Sequence, residues 1–220
     1  IGTLVVLPDH AALFADGLYW DQAEAQLAGT GIELVKTTAG SQTGYMPWLA
    51  ERLPRGAVVH VDGQVLALDL ARQLQNMLGA ARIRLESDDD VLDRAWPDRP
   101  PLPPAPVFEH LPPHATVSRG EKLALLRGEM LRANATHHLV SSVDDLAWIT
   151  NLRGSDVPYN PTFIGHLLLD AARATLFVAD GKVDSALRRR LLDDGVEVMP
   201  YETAGDALAG CGDDAALLVD

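Results

Sequence analysis

The chain has 220 residues, a hydrophobic fraction of 47% and a formal net charge of −13 at pH 7. This length suits one large domain or two small ones, and the apolar content is sufficient to build a core. The acidic charge argues against nucleic acid and anionic membrane as partners, because both require clustered lysine and arginine. The one cysteine, Cys211, excludes an intrachain disulfide and fits a reducing compartment such as the cytoplasm.

The first 96 residues are predicted to alternate short strands and helices. The periodicity of the apolar residues and the turn residues between them give the type of each element. In chain order we predict strands at 3–7 and 11–14, a helix at 18–28 with Leu18, Gln22, Ala23, Gln26 and Leu27 on related faces, a strand at 32–36, a helix containing Pro47, a strand at 57–61, a helix at 66–78 closed by Gly79, a strand at 83–85 and a short helix ending at Trp96. Asp88, Asp89 and Asp90 are expected to cap this last helix, since carboxylates favour a helix N-terminus.

Proline is dense between residues 97 and 113. Such a sequence is incompatible with a helix interior or a central strand. We therefore interpret 97–117 as an extended, semi-rigid connector between a first domain at 1–96 and a second domain at 118–220.

The second domain is predicted to open with a capping box formed by Ser118 and Glu121, followed by a helix to about residue 134. The expected inward side chains of that helix are Leu123, Leu126, Met130 and Leu131. Further predicted elements are a strand at 137–141, a helix at 143–152 capped by Ser142, strands at 163–169 and 175–178, a helix at 183–192, and strands at 196–200 and 215–219.

The two halves contain an internal echo. The sequence ALFADG, a helix and then GIELV, starting at Ala12, resembles TLFVADG, a helix and then GVEVM, starting at Thr175. Both stretches predict a hairpin, a helix and a strand. The echo indicates two related α/β domains.

The histidines offer a weak metal-site hypothesis. His110 and His114 are four residues apart, but Pro112 and Pro113 between them exclude a helix that would place both on one face. His137 and His138 are adjacent, and adjacent strand residues point to opposite faces. These histidines are therefore expected to be surface or core residues, and we assign no metal ligand in the chain.

Other catalytic arrangements are also disfavoured. Ser141 or Ser142 with Asp144 and His137 could form a hydrolase triad, but no G-x-S-x-G elbow accompanies them. No glycine-rich phosphate loop occurs. The adjacent carboxylates at 144–145 and 193–194 are better explained as helix-end charges, although anions at the C-terminal end of a helix are slightly unfavourable. We assign no catalytic residue.

The loop that follows the helix at 143–152 is the remaining candidate site. Gly154 is expected to allow a sharp turn. A self-contained turn would pair Arg153 with Asp156, whereas a functional loop would present Arg153, Asp156, Tyr159 and Asn160 to another domain or to a substrate.

The same region carries a family resemblance. The sequence VSSVDDLAWITNLRGSDVPYNPTF, from Val140 to Phe163, resembles Xaa-Pro aminopeptidases (aminopeptidase P) of the creatinase/prolidase superfamily. DRAWPDRPPLPPAPVFEHL, from Asp93, resembles the interdomain linker of that family, and SRGEKLALLRGEML, from Ser118, resembles the helix that opens its second domain. ALFADGLYWDQAEAQL, from Ala12, resembles a strand–helix unit of its first domain.

The resemblance implies two non-catalytic α/β domains of the creatinase/prolidase N-terminal type, each a mixed sheet flanked by helices. A C-terminal catalytic domain with two divalent metal ions, usually manganese, would follow residue 220. The first domain would lack its beginning and the second its end. The expected partners are that catalytic domain, a second copy in a homodimer, and a peptide substrate with proline at its second position.

Three functions remain open from the sequence. The first is a non-catalytic N-terminal portion of such an enzyme, shaping substrate access and dimerisation. The second is a free-standing binding module that kept the fold and lost catalysis. The third, an independent hydrolase, is the least favoured, and it would lose activity on His137→Ala.

Overall fold

A computed structural model describes residues 2–38, 43–88 and 90–220. The chain divides into two compact units, Ile1–Arg99 and Pro100–Asp220. Sheets flanked by helices occur in both units, which confirms the predicted α/β class. The exact domain limits drawn from the sequence stay predictions. Within the described ranges, none of the helices combines the length and apolar character required to cross a bilayer.

The first unit begins with a hairpin, a helix and a third strand. Its elements are β1 Gly2–Val6, β2 Ala11–Ala15, α1 Trp20–Leu27, β3 Glu33–Lys36, α2 Tyr45–Arg52, β4 Val58–His60, α3 Leu68–Ala80, β5 Arg84–Glu86 and α4 Val91–Ala95. The β1 and β2 strands are antiparallel, and β3 runs parallel to β2. The β4 and β5 strands form a separate parallel pair. These elements lie within two or three residues of their predicted positions.

An aromatic and aliphatic core holds this unit together. Phe14 of β2 packs edge-to-face against Trp48, with ring centroids 5.5 Å apart. Leu74 and Leu78 of α3 are buried in the same cluster, because residues four apart lie on one face of a helix. The spacing of these leucines therefore accounts for the buried side of α3.

Two details of the first unit differ from prediction. Leu18 is 87% exposed and precedes α1, which begins two residues later than predicted. Gly79 lies inside α3, which ends at Ala80, and the chain then turns through Arg82 with φ of 59°. By contrast, Asp90 caps α4 as predicted, because its carboxylate accepts from the Leu92 amide at 2.9 Å, while Asp89 lies outside the described residues.

The second unit is built around one mixed sheet. Its elements are β6 Phe108–Glu109, α5 Arg119–Arg132, β7 His137–Val140, α6 Val143–Thr150, β8 Leu152–Arg153, β9 Gly165–Leu169, β10 Ala174–Val178, α7 Ser185–Asp193, β11 Val196–Pro200, α8 Ala204–Ala209 and β12 Leu217–Val219. The strand order is β11-β10-β9-β7-β12. The β11–β10 and β7–β12 pairs are parallel, and β9 is antiparallel to both of its neighbours.

The core of this unit is aliphatic. Leu167, Leu169 and Leu176 on the central strands are fully buried, and Leu187 and Leu191 of α7 pack into the same cluster. The alternating burial of β9 reflects the two-residue period of a strand whose one face is covered by helices. The sheet therefore provides a rigid base for the loops at its ends.

The two helices that precede the candidate loop in the chain, α5 and α6, begin differently. In α5, the Ser118 hydroxyl and the Glu121 carboxylate form both bonds of the predicted capping box. In α6, Ser142 occupies the cap position but its hydroxyl makes no capping bond. The Asp220 carboxylate accepts from the Ser141 and Ser142 amides instead, at 2.9 and 2.6 Å, so the predicted capping role of the Ser142 side chain is wrong.

The inward face of α5 also differs from prediction. Leu131 is 79% exposed, whereas Leu123 and Met130 are buried together with Arg119 and Lys122. A helix advances about 100° per residue, so Leu131 cannot share a narrow buried face with Met130. The buried stripe of α5 therefore carries two cations.

Part of the proline-rich segment contributes a strand to a small two-stranded sheet in the second unit. Phe108 and Glu109 form β6, which pairs antiparallel with β8. The amide of Val107, a buried core residue, donates to the Lys182 carbonyl oxygen at 2.9 Å. This short edge strand was missed because the prolines around it disfavour strand assignment.

Candidate functional site

The predicted loop starts at a left-handed helix end. Asn151 follows α6 with φ of 51° and ψ of 33°, and its amide bonds back to the Ala147 and Trp148 carbonyls. Asparagine tolerates this conformation better than most residues. The chain then enters β8 and folds back on itself, with the Asp156 amide donating to the Thr162 carbonyl at 3.2 Å.

Gly154 is required for close approach and not for a sharp turn. A Cβ atom at this position would lie 2.7 Å from the Phe163 Cβ and 3.0 Å from the Thr162 carbonyl oxygen. Both atoms belong to the returning limb of the loop. The expected role of Gly154 in a sharp turn is therefore wrong, and glycine is needed here for close packing of the two limbs.

Asp156 forms a buried ion pair. Both of its carboxylate oxygens lie 2.6 Å from Lys182 Nζ, and the Ile164 amide donates to one of them at 2.8 Å. The side chains of Asp156 and Lys182 are almost fully excluded from solvent. The suggested Arg153–Asp156 pair is therefore wrong, and the Asp156 carboxylate holds the loop to the segment before α7.

Arg153 is half-buried and bonds to backbone. Its Nη1 donates to the carbonyl oxygens of Ala147 and Leu152, at 2.7 and 2.8 Å. Both hydrogens of Nη1 are thereby used, which leaves Nε and Nη2 as the remaining donors of the guanidinium. Arg153 is thus fixed at the C-terminal end of α6.

Tyr159 and Asn160 form the tip of the loop. Tyr159 is fully exposed, with φ of 64°, a conformation that costs energy for a residue with a Cβ. Asn160 is half-buried, and its Nδ2 donates to Asp144 Oδ1 at 3.3 Å. Of the four predicted site residues, Tyr159 is the most exposed; that any of them meets a neighbour stays a prediction.

A cavity of about 180 Å³ lies beside the loop. Its walls are formed by the turn before α5, by α5 itself and by the end of α6, with the lining residues His110, His114, Ala115, Thr116, Val117, Lys122, Trp148 and Arg153. The His110 and His114 rings stack with centroids 5.6 Å apart. The prolines exclude a helix there, as predicted, but a turn brings the two rings together.

Lys122 is the central cation of this cavity and was not predicted as a site residue. It is 4% exposed, and Nζ donates to the Trp148 carbonyl and to Asn151 Oδ1, both at 2.6 Å. The ammonium also lies 4.1 Å from the centroid of the Trp148 ring. Burial, followed by the charges of Arg153 and Arg119, lowers the pKa of Lys122. The feature of the sequence that could have indicated this site is a lysine at a position on the apolar face of α5.

Arg119 is buried one turn earlier on α5 and is fully paired. Its guanidinium contacts the carboxylates of Glu109 and Asp194, and Nε donates to the Thr150 carbonyl at 2.6 Å. Glu109 also accepts from Arg190 at 2.7 Å. A carboxylate at the C-terminal end of a helix is slightly unfavourable. Asp194 at the end of α7 is stabilised instead by its contact with the buried Arg119.

The hydrolase triad that the sequence disfavours does not assemble. His137 Nδ1 lies 2.9 Å from the Thr136 hydroxyl, whereas Ser141 Oγ lies 2.9 Å from Nδ1 of His166. The other nitrogen of His166 lies 3.1 Å from the Tyr201 hydroxyl. Burial lowers the pKa of His166, against the opposing charge of Asp220. Across the described ranges, no group of three or more His, Cys, Asp or Glu residues could hold a metal ion.

Comparison with known proteins identifies the class of this fold. The family model described as the creatinase/prolidase N-terminal domain matches residues 98–220, which is more than half of the chain. The chain therefore belongs to this family, and the resemblance noted in the sequence is confirmed.

Related proteins cover almost all of the chain. Aminopeptidase P2 of Arabidopsis thaliana is 33% identical over 225 residues, spanning 100% of this chain and 31% of that protein. A probable Xaa-Pro aminopeptidase P of Leptosphaeria maculans is 34% identical over 208 residues, spanning 94% of this chain and 34% of that protein. The chain thus spans about a third of the length of these relatives.

A solved structure gives the same result. The X-prolyl aminopeptidase from Caenorhabditis elegans, described as a cytosolic enzyme with a di-nuclear active site, has a TM-score of 0.87 to this chain at 26% identity. The match covers 95% of this chain and 34% of that one.

Proposed function

We propose that this chain is the non-catalytic, N-terminal portion of an Xaa-Pro aminopeptidase. In this proposal, the parent enzyme removes the residue that precedes proline at the N-terminus of a peptide. The chain shapes access to the active site and takes part in a homodimer. The observation that carries the proposal is that almost the whole chain aligns with several such enzymes and matches about a third of the length of each.

The chemistry of the described residues supports a division of labour. The two-metal site implied by the family finds no matching set of donors among the residues that the structure describes. We assign the two divalent ions, manganese by family resemblance, to a separate catalytic domain, and we derive no catalytic step in this chain. The C. elegans relative, described as di-nuclear and cytosolic, supports that assignment and a cytoplasmic location.

The proposal is tested by assaying two proteins in parallel. The 220-residue chain and the complete product of its gene are purified and incubated with manganese and a peptide bearing proline at position two. We expect release of the first residue by the complete product only. Cleavage by the 220-residue chain alone would overturn the non-catalytic assignment.

The alternative is a free-standing interaction module with the same fold. Its distinguishing feature is a reading frame that stops at Asp220, whereas the proposed enzyme needs a downstream catalytic segment with two Asp, one His and two Glu as metal ligands. Sedimentation of both proteins tests the homodimer. A monomeric complete product would contradict the proposed role in dimerisation.

A further inference from the structure

The cavity beside β8 concentrates positive charge in an acidic chain. Lys122 and Arg153 line it together with His110 and His114, although the formal net charge of the whole chain is −13. In the described part of the chain, no carboxylate lies within ion-pair distance of Lys122 or Arg153. Arg119, the other buried cation of α5, contacts two carboxylates. Lys122 and Arg153 therefore differ from Arg119 in that no carboxylate of the described residues neutralises them.

A buried cation without an anion is energetically unfavourable. Removal of an ammonium from water is unfavourable, and hydrogen bonds to neutral oxygens recover only part of this cost. Contact with the face of Trp148 offsets a further part. A structure that tolerates this cost at Lys122, next to a second cation at Arg153, favours an anionic ligand in the cavity.

The remaining donors specify the kind of anion. Lys122 uses two of its three hydrogens on Trp148 and Asn151, and Arg153 uses both hydrogens of Nη1 on backbone. What remains is one ammonium hydrogen and the Nε–Nη2 edge of the guanidinium. That edge is the planar fork that binds a carboxylate through two parallel bonds. The two oxygens of a carboxylate match this fork, whereas a phosphate presents a third terminal oxygen that the fork does not bind.

The size of the cavity agrees with a small ligand group. Its volume of about 180 Å³ equals roughly six water molecules at about 30 Å³ each. This space holds a carboxylate and the carbon atoms next to it. Trp148 remains 47% exposed, so the cavity opens at the surface and a ligand can enter without unfolding of the chain.

We propose that this cavity is a carboxylate-binding site in which Arg153 grips the carboxylate and Lys122 supplies the second charge. His110 and His114 form its outer wall. The site is independent of the proposed aminopeptidase role. A free small carboxylate and the C-terminal carboxylate of a peptide present the same group.

The test follows the indole N–H signals of the 220-residue chain by NMR. The probe is sodium acetate, replacing sodium chloride at constant ionic strength and pH 7. Trp148 lines the cavity, whereas Trp20, Trp48 and Trp96 lie in the first unit and serve as internal controls. We expect a saturable shift of the Trp148 signal alone. An unsaturated shift, or equal shifts of all four signals, would overturn the proposal.

Variants test whether acetate binding depends on the proposed residues. Arg153→Gln should weaken acetate binding by about tenfold or more, because it removes the charged fork. His114→Asn, at an exposed position, should weaken binding less and gives a readout even if Arg153→Gln perturbs folding. Arg72→Gln, an exposed cation on α3 with the same change of charge, is the matched control and should bind like the native chain. Equal binding by all three variants would overturn the proposal.

Three further probes define the ligand. Inorganic phosphate should bind more weakly than acetate, and tighter phosphate binding would overturn the assignment to carboxylates. N-acetyl-glycylglycine and its amide differ only in the terminal carboxylate. Binding of the acid but not the amide supports a peptide terminus as the source, and binding of acetate alone supports a free small carboxylate. Equal binding of the amide and the acid would overturn the proposal.

Discussion

The segments 2–36 and 165–200 share one topology but differ in burial. Each contains an antiparallel strand pair, a helix and a third strand parallel to the second: β1-β2-α1-β3 and β9-β10-α7-β11. In the first, Leu4 and Val6 of β1 are exposed and α1 buries Ala23 alone. In the second, β9 and β10 are largely buried and α7 buries two leucines.

The difference originates in the neighbours of each segment. In the second unit, β7 pairs with the outer side of β9, and β12 extends the sheet further. The described first sheet has the order β1-β2-β3, which leaves β1 at an edge. The local sequence pattern therefore specifies the order of elements, whereas strands from elsewhere in the chain decide how deeply that pattern is buried.

The largest expected difference concerns one ion pair from each segment, Lys36 with Glu24 in the first and Lys182 with Asp156 in the second. Asp156→Ala leaves the buried Lys182 without its carboxylate partner, which should lower the free energy of unfolding by about 3–5 kcal/mol. Glu24→Ala, which removes the partner of the exposed Lys36, should cost about 0–1 kcal/mol. Urea denaturation measures both.

A double variant separates the pair from the surrounding packing. Lys182→Met combined with Asp156→Leu removes both charges and should be closer to the native stability than Asp156→Ala alone. Equal losses for Asp156→Ala and Glu24→Ala would show that burial does not distinguish the two pairs.

The central leucines of the two sheets provide the second comparison. Leu13 pairs with Leu4 and Leu34, and the equivalent Leu176 pairs with Leu167 and Val198. Because Leu176 is fully buried, Leu176→Ala should cost about 3 kcal/mol, within the range for leucine truncation in a packed core. The half-buried Leu13 should cost about half as much on change to alanine. A larger cost at Leu13 in urea denaturation would contradict this ranking.

The third comparison concerns the helix that follows each hairpin. Asp184 caps α7, accepting from the Leu187 amide at 2.7 Å, whereas α1 has Tyr19 at the same position and no side-chain cap. Asp184→Ala should lower the free energy of unfolding by about 1 kcal/mol, while Asp184→Asn should be nearly neutral because it keeps the acceptor. Thermal unfolding of the three proteins measures the difference. Equal losses for the two variants would assign the effect to charge and not to capping.

The sequence predicted local features well and tertiary partners poorly. The capping box, the two hairpins and the positions of the third strands follow from periodicity and turn residues, which act over a few positions. The partners of Asp156 and Arg119 lie 26 and 75 residues away, at Lys182 and Asp194, and no local pattern indicates them. The same limit explains the missed β6–β8 pair and the cavity around Lys122, which both depend on segments that meet only after folding.

The smallest expected effect is a pH dependence confined to the second hairpin. His166 of β9 lies opposite Phe177, and the equivalent position in β1 is Thr3, opposite Phe14. Because burial lowers the pKa of His166, the unfolded chain takes up the proton first as the pH falls below about 6.5. The contribution of His166 should therefore lower the free energy of unfolding as the pH falls. This contribution should stop changing below the pKa that His166 has in the folded chain.

His166→Gln tests this effect, because glutamine can hydrogen-bond to Ser141 and Tyr201 but does not titrate between pH 7.5 and 5. The variant should lose less stability than the native chain over that range in urea denaturation. His138, whose pKa is also lowered by burial, stays as a common background in both proteins. A steeper acid loss in the variant would mean that the folded chain holds the proton on His166, with the charge of Asp220 dominating over burial.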